Sequence, residues 1–334
     1  MKGILKMLTT AAVIGCALGC SSEGAKEDKY LIDEFADLKI MKYKVPGWEG
    51  LSLQQKSYVY HLSEAAKYGR DILWDQNCKI NLPVRHMLEA IITNYKGDRE
   101  CSEYQDFLVY AKRVFFSNGI HHHYGEEKFF PSCSEEYFRQ LASDCGLDCG
   151  ELISAIYDPE LYRWRKTDGV TRAEVDKFYA DMMDPSDKTP ISYGLNSRLV
   201  KGEDGIIREQ VYCAEGLYGP AIQKIVGELE LASEFAENDI QKKYISTLIA
   251  YYRSGDLRLW DKYNIEWLQD TTGTVDFING FIEDYNDPLG RKATWESVVN
   301  IKDLKASERT LKLSENAQWF EDHSPVDARF KKSE

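Results

Sequence analysis

Cationic side chains are in short supply in this chain. Its 42 lysines and arginines face 55 aspartates and glutamates, for a net charge of −13 over 334 residues. That balance argues against nucleic acid as a partner and against docking of the protein body on anionic lipid, since both reward clustered positive charge. An acidic cleft would favour cationic ligands such as a peptide α-amino group, although acidity is also an ordinary route to solubility. Histidine is scarcer still, with six residues, and none of them begins an HExxH pattern. The G-x-S-x-G nucleophile elbow, the phosphate-cradling P-loop and the Rossmann glycine fingerprint are missing as well. No repeat period, low-complexity tract or clear interdomain linker is visible, and the length suits one large or two ordinary domains.

The N-terminus carries its own pattern. Lys2 and Lys6 precede an apolar run from Leu8 to Leu18 that is too short to span a bilayer. The run closes on Ala17-Leu18-Gly19-Cys20, which resembles the lipobox of bacterial lipoproteins. The resemblance implies a signal peptide over residues 1–19, cleavage before Cys20, diacylation of the Cys20 thiol and a solvated tether over residues 20–32. The protein is then expected in the cell envelope, lipid-anchored on the outer-membrane or periplasmic side. Of the eight cysteines, Cys78, Cys101, Cys133, Cys145, Cys149 and Cys213 remain in the body. Their spacings form no dense disulfide framework, and Cys145-x3-Cys149 has no second ligand pair to make a zinc knuckle.

Periodicity predicts α+β architecture, mostly helical with a smaller β-sheet or partial barrel. Ser52-x-x-Gln55 and Thr171-x-x-Glu174 read as capping boxes, and Ser102-x-x-Gln105 as a third helix start that Asn118-Gly119 stops. Met182 and Met183 are expected in the core. Residues 191–201 and 206–213 read as a hairpin around the GEDG turn, Pro220 as a helix start, and residues 240–252 and 257–268 as helices. Residues 273–286 alternate as a strand, and a last helix is expected near residues 304–320.

The chemistry-bearing cluster is His121-His122-His123, placed just past a helix end. Three adjacent side chains in a loop cannot all point one way, so the triplet offers about two ligands, with Glu126 or Glu127 nearby. His61, His86 and His323 are isolated, and His86-x-x-Glu89 reads as a solvated helix-face pair. Carboxylates are plentiful, but spacing alone pairs no two of them across a cleft.

Residues 35–77, 112–131 (KRVFFSNGIHHHYGEEKFFP), 279–290 (NGFIEDYNDPLG) and 316–325 (NAQWFEDHSP) resemble the N-terminal part of bacterial dipeptidyl peptidase III zinc metallopeptidases. GFIE-x-Y-x-DP-x-G is the most specific element. The resemblance implies two lobes around a wide cleft, with zinc held in the upper lobe by an HExxGH helix and a glutamate from a following EExxAD-type helix. Neither motif occurs in these residues, nor does the family's asparagine-bearing segment that binds peptide backbone. The expectation is therefore the substrate-side lobe over residues 33–334, truncated before the catalytic zinc lobe and inactive alone. Zinc serves the full-length family, and none is expected on this chain.

In the family, a glutamate four positions before the glycine of GFIE captures the substrate's free amino group. Asp276 occupies that position here, one methylene shorter. The family's transition-state tyrosine, two residues later, is replaced by Ile278. Strand alternation puts Asp276, Ile278 and Gly280 on one face and Asn279 on the other, unless Gly280 marks a bulge. Glu283 is expected to hold the strand. The plain alternative for Asp276 is a carboxylate in water. The partners implied are peptides, the membrane through the lipid, and a catalytic lobe lying outside these residues.

Three functions stay open. They are a dipeptidyl-peptidase III-like protein whose family reaction is zinc-dependent release of dipeptides from peptide N-termini, a lipid-anchored peptide-binding module without catalysis, and a separate hydrolase built on the His triplet.

Overall fold

A computed structural model describes residues 30–162 and 169–332, which divide into two compact units, one up to Lys44 and one from Val45. The expected signal peptide, Cys20 and most of the tether lie outside the described residues. In the first unit, β1 (Leu31–Phe35) and β2 (Leu38–Met41) form an antiparallel hairpin whose turn takes Ala36 to a φ of 51°. The ends of this ribbon are tied by the Lys42 N–H, which donates to the Tyr30 carbonyl at 2.7 Å.

The second unit opens with α1 (Leu53–Tyr68), and its Ser52–Gln55 capping box is formed in both directions. Next come α2 (Arg70–Asn77), α3 (Asn81–Asn94), α4 (Ser102–Ser117), α5 (Glu135–Asp144) and α6 (Gly150–Tyr157). Helix α4 begins where expected but is capped differently. Cys101 holds the cap position, Ser102 is already helical, and the Gln105 amide donates instead to the Arg99 carbonyl. At the other end Asn118 turns left-handed with a φ of 53°, as the Asn-Gly stop signal requires.

Helix α7 (Arg172–Met182) carries the second capping box. Strands β3 (Ser197–Lys201) and β4 (Ile207–Val211) make the expected antiparallel hairpin. Helices α8 (Gly219–Glu234), α9 (Asp239–Ser254) and α10 (Leu257–Trp267) then lead into β5 (Val275–Glu283) and β6 (Thr294–Ile301). The chain ends through α11 (Leu304–Ser314) and α12 (Ala317–His323), two helices where one was expected, parted at Glu315 and Asn316. Met182 and Met183 are exposed rather than buried, because the small cluster beneath α7 reaches only from Val175 to Tyr179 before the helix stops.

The architecture is α+β with a helical majority. Its strands form three separate two-stranded ribbons, and no barrel closes among the described residues. One apolar cluster joins α1, α8, α9, α10 and the β5–β6 ribbon, while a second joins α3 to α6. Helix α2 serves both, sending Ile72 into the first and Trp74 into the second. Phe277 and Phe281 are essentially sealed, each side chain worth about 1.5–3 kcal/mol in burial. Neither α11 nor α12 has a buried residue, and Leu304, Leu311, Leu313, Trp319 and Phe320 are all at least half exposed. Among the described residues no helix is long and apolar enough to cross a membrane.

Candidate functional site

The β5–β6 ribbon has a buried side and an open side. Cross-strand pairs run Asp276 to Asn300, Ile278 to Val298 and Gly280 to Glu296, and directly opposed residues share a face. Val275, Phe277, Asn279 and Phe281 point into the core, so the other set forms the open side. A bulge does occur, between Phe281 and Glu283, one step beyond Gly280. The register through Gly280 is therefore regular, and Asn279 stays opposite to Asp276 as alternation requires.

Entry into β5 is fixed by two carboxylates. Glu237 Oε2 accepts from the backbone N–H of Thr274 at 2.9 Å and of Val275 at 2.8 Å, while its Oε1 accepts from the Gln55 amide at 2.8 Å. Asp270 accepts from the N–H of Thr272 and Gly273 and from the amides of Asn238 and Gln241. Burial pushes the Asp270 carboxyl up, but these hydrogen bonds outweigh it and hold the group below the ordinary carboxylate range. Buried Gln241 also donates to the Val275 carbonyl at 3.1 Å, which ties α9 to the first residue of the strand.

Asp276, the next residue, is exposed and oriented. Its Oδ1 accepts from the indole N–H of Trp267 at 2.8 Å and from the Phe277 N–H at 2.8 Å. Its Oδ2 takes no hydrogen bond among the described residues and is free to meet a cation. Two indoles from α10 border this side of the ribbon. Trp267 steadies Asp276, and the Trp260 ring lies 2.4 Å from where a Cβ on Gly280 would be. Gly280 is required by that close approach. Glu296, opposite Gly280, is half-buried, and burial followed by the nearby Glu283 charge raises its carboxyl above the usual range. Glu283 itself is exposed and makes no hydrogen bond among the described residues, so its side chain contributes charge rather than a strand contact.

Asn279 belongs to the core. Its Oδ1 accepts from the Tyr252 phenol at 2.5 Å and its amide donates to Ser297 at 3.1 Å, while the Trp295 indole N–H reaches the same phenol at 3.3 Å. Burial raises the Tyr252 phenol far above its ordinary value, so it stays a neutral donor. Ile278, on the open side, has no polar atom with which to replace a phenol.

The histidine triplet diverges. His121 is sealed, and burial lowers its pKa to about 4. His122 Nδ1 is occupied by the backbone N–H groups of Tyr124 and Gly125, both at 3.2 Å. His123 stacks on His122 and lies 3.3 Å from the Ser117 hydroxyl. Among the described residues no group of three His, Cys, Asp or Glu side chains converges as a metal cage, and this divergent triplet does not fit zinc. The loop instead positions Lys128, whose ammonium donates to the carbonyls of Ala155, Asp158 and Leu161 at the end of α6. The six body cysteines are unpaired, and His86 is exposed while Glu89 pairs with Arg85.

The sequence singles out Asp276, and the structure adds Trp267, Glu237 and Asp270 around it. Asp270-Thr-Thr-Gly273 is a readable turn signature before a strand. Glu237 acts on backbone 37 residues away and leaves no local signal.

Comparisons with known proteins bear on the fold and on the family that the chain resembles. The peptidase family M49 model matches residues 196–334. Dipeptidyl peptidase 3 of Dictyostelium discoideum is 24% identical over 352 residues, covering 88% of this chain and 48% of that protein. The Homo sapiens dipeptidyl peptidase 3 is 24% identical, with 84% and 46% covered. Among solved structures, dipeptidyl-peptidase III from Caldithrix abyssi matches with a TM-score of 0.59 at 19% identity, over 87% of this chain and 47% of that one. The enzyme from Corallococcus sp. strain EGB gives 0.57 at 16% identity, with the same coverage. The fold is that of one part of a dipeptidyl-peptidase III structure. The chain is thus similar to dipeptidyl peptidase III proteins, with its C-terminal part matching peptidase family M49, and it spans about half the length of the curated relatives it matches.

Proposed function

We propose that this protein captures the free α-amino end of peptides on the open side of the β5–β6 ribbon, with Asp276 as the counter-ion. The carrying observation is the pinning of Asp276 Oδ1 by Trp267 while Oδ2 stays open. A carboxylate held in one orientation loses little entropy on meeting an ammonium group, and a charge-assisted hydrogen bond is about twice as strong as a neutral one. The half-buried Glu296 carboxyl on the same side adds to a local preference for cations. The family reaction, zinc-dependent release of dipeptides from peptide N-termini, needs an HExxGH helix, and these 334 residues contain none. On this reading the residues in hand bind peptide without cleaving it, and hydrolysis belongs to the assembled two-lobed fold. The exposed apolar side chains of α11 and α12 suit contact with such a further lobe.

The second reading is a lipid-anchored peptide-binding module, favoured by the lipobox-like Leu18-Gly19-Cys20. It puts the acylated Cys20 in the envelope membrane and peptides as the soluble partner, with nucleic acid excluded by charge. Calorimetry with a tetrapeptide and its N-acetylated form tests amine capture. Mass spectrometry of Cys20 from a native host tests the anchor. Release of dipeptides from a diarginyl arylamide by this chain alone would contradict binding without cleavage.

A further inference from the structure

The open side of the β5–β6 ribbon changes chemistry at every step. Asp276 faces Asn300, Ile278 faces Val298 and Gly280 faces Glu296, so one apolar pair sits between two polar ones. Each step of two residues advances about 6.7 Å along the strand. Ile278 is half-buried, and Val298 keeps 45% of its surface exposed, although Phe277 and Asn279 on the ribbon's inner side are sealed. Two indoles of α10 bound the apolar pair along β5. Trp267 reaches Asp276 at one end through its N–H, and the Trp260 ring stands against Gly280 at the other. Residues seven apart on a helix share a face, so both rings look onto the same stretch of strand, with Ile278 between the two positions they touch. Single exposed aliphatic side chains are ordinary on a protein surface. This pair differs because an oriented carboxylate, held by Trp267 and the Phe277 N–H, stands one step away.

We propose that the Ile278–Val298 pair is a side-chain subsite for a branched aliphatic group on the first residue of a peptide whose α-amine is held by Asp276. The subsite rests on the amine-capture reading and adds to it a class of ligand, peptides that begin with leucine or a side chain of similar shape. One step of about 6.7 Å separates the ammonium seat from the apolar seat, a span that two groups on one α-carbon can cover. A polar side chain there would leave its hydrogen-bonding groups without partners against Ile278 and Val298, which disfavours it. An acidic one would also approach half-buried Glu296, one step further on.

The test is calorimetry of the full chain with leucyl-triglycine, asparaginyl-triglycine and tetraglycine, each with a free and an acetylated N-terminus. Leucine and asparagine are close in shape, so comparing them isolates polarity. Leucyl-triglycine is expected to bind about tenfold tighter than either of the others. Val298→Thr and Ile278→Thr should each cut that preference about threefold while leaving the ratio of free to acetylated affinity unchanged. Val298→Thr, at the more exposed position, decides the matter if Ile278→Thr fails to give a normal thermal transition. A free-amine preference with no leucine preference overturns the subsite and leaves amine capture standing. A leucine preference that survives Val298→Thr unchanged puts the contact elsewhere and overturns it too. Loss of the free-amine preference on the native chain removes the amine seat, and the subsite falls with it.

Discussion

The Trp267 indole N–H donates to Asp276 Oδ1 at 2.8 Å, from α10 to the open side of β5. An exposed aspartate normally samples several rotamers. Here one oxygen is fixed by the indole and by the Phe277 N–H, and the other is presented to solvent. Asp276→Asn removes the charge and keeps the shape. It should weaken binding of a free-amine peptide about tenfold or more, the value of a charged hydrogen bond, without moving the thermal midpoint appreciably. Trp267→Phe should cost about fivefold, since it frees the carboxylate but leaves its charge. Calorimetry on the two variants checks the order. Equal loss in both would point to packing instead.

Peptide binding should also follow the protonation of the peptide's own amine. An α-amino group titrates near about 7.7–8.0, so affinity should be steady below that range and fall as pH rises through it. A binding isotherm series from pH 6 to pH 9, on the order of the titration range, reads this directly. An affinity that does not change across the series would remove the ammonium from the account.

Gly280→Ala places a methyl 2.4 Å from the Trp260 ring, between ribbon and helix. The indole must move, and overpacking of this kind costs about 1–3 kcal/mol. Urea unfolding should show that loss, together with weaker peptide binding because α10 also carries Trp267. Unchanged stability would mean that Trp260 yields freely.

The buried Tyr252–Asn279 hydrogen bond makes a sharper test of the ribbon's inner side. Asn279→Ala strands the phenol and should cost about 1–3 kcal/mol, while leaving the amine preference among bound peptides intact. Urea midpoints and the ratio of free to acetylated peptide affinity separate the two effects.

His121 contributes one component of the pH dependence of stability. Burial lowers its pKa to about 4, below its ordinary 6.5, so the folded state holds it neutral. Between those values the unfolded chain binds more protons than the folded one, and stability rises with pH. The contribution is fully present above about 6.5 and is lost as pH falls towards about 4. His121→Phe should flatten that slope in urea midpoints. A wild-type slope retained in the variant would assign it to other groups.

Local signals carried much of this structure. The Ser52 and Thr171 caps, the Asn118-Gly119 stop and Pro220 were legible because each is a contact within one turn of chain. The alternation that separates Asp276 from Asn279 was legible for the same reason. Contacts distant in sequence were not. Glu237 grips Thr274 and Val275, Trp267 steadies Asp276 through a neighbouring helix, and Lys128 closes α6, and no periodicity encodes those pairings. The methionines of α7 misled because side-chain type says how apolar a residue is, not how far the cluster beneath it extends.

The most direct test is a calorimetric comparison of one tetrapeptide with its N-acetylated form on the full chain and on Asp276→Asn. Amine capture predicts that acetylation weakens binding to the native chain about tenfold or more, and weakens it little in the variant, where the charge partner is already gone. Equal affinities for both peptides on the native chain, or an acetylation penalty that survives Asp276→Asn, would contradict the assignment of this face to peptide N-termini.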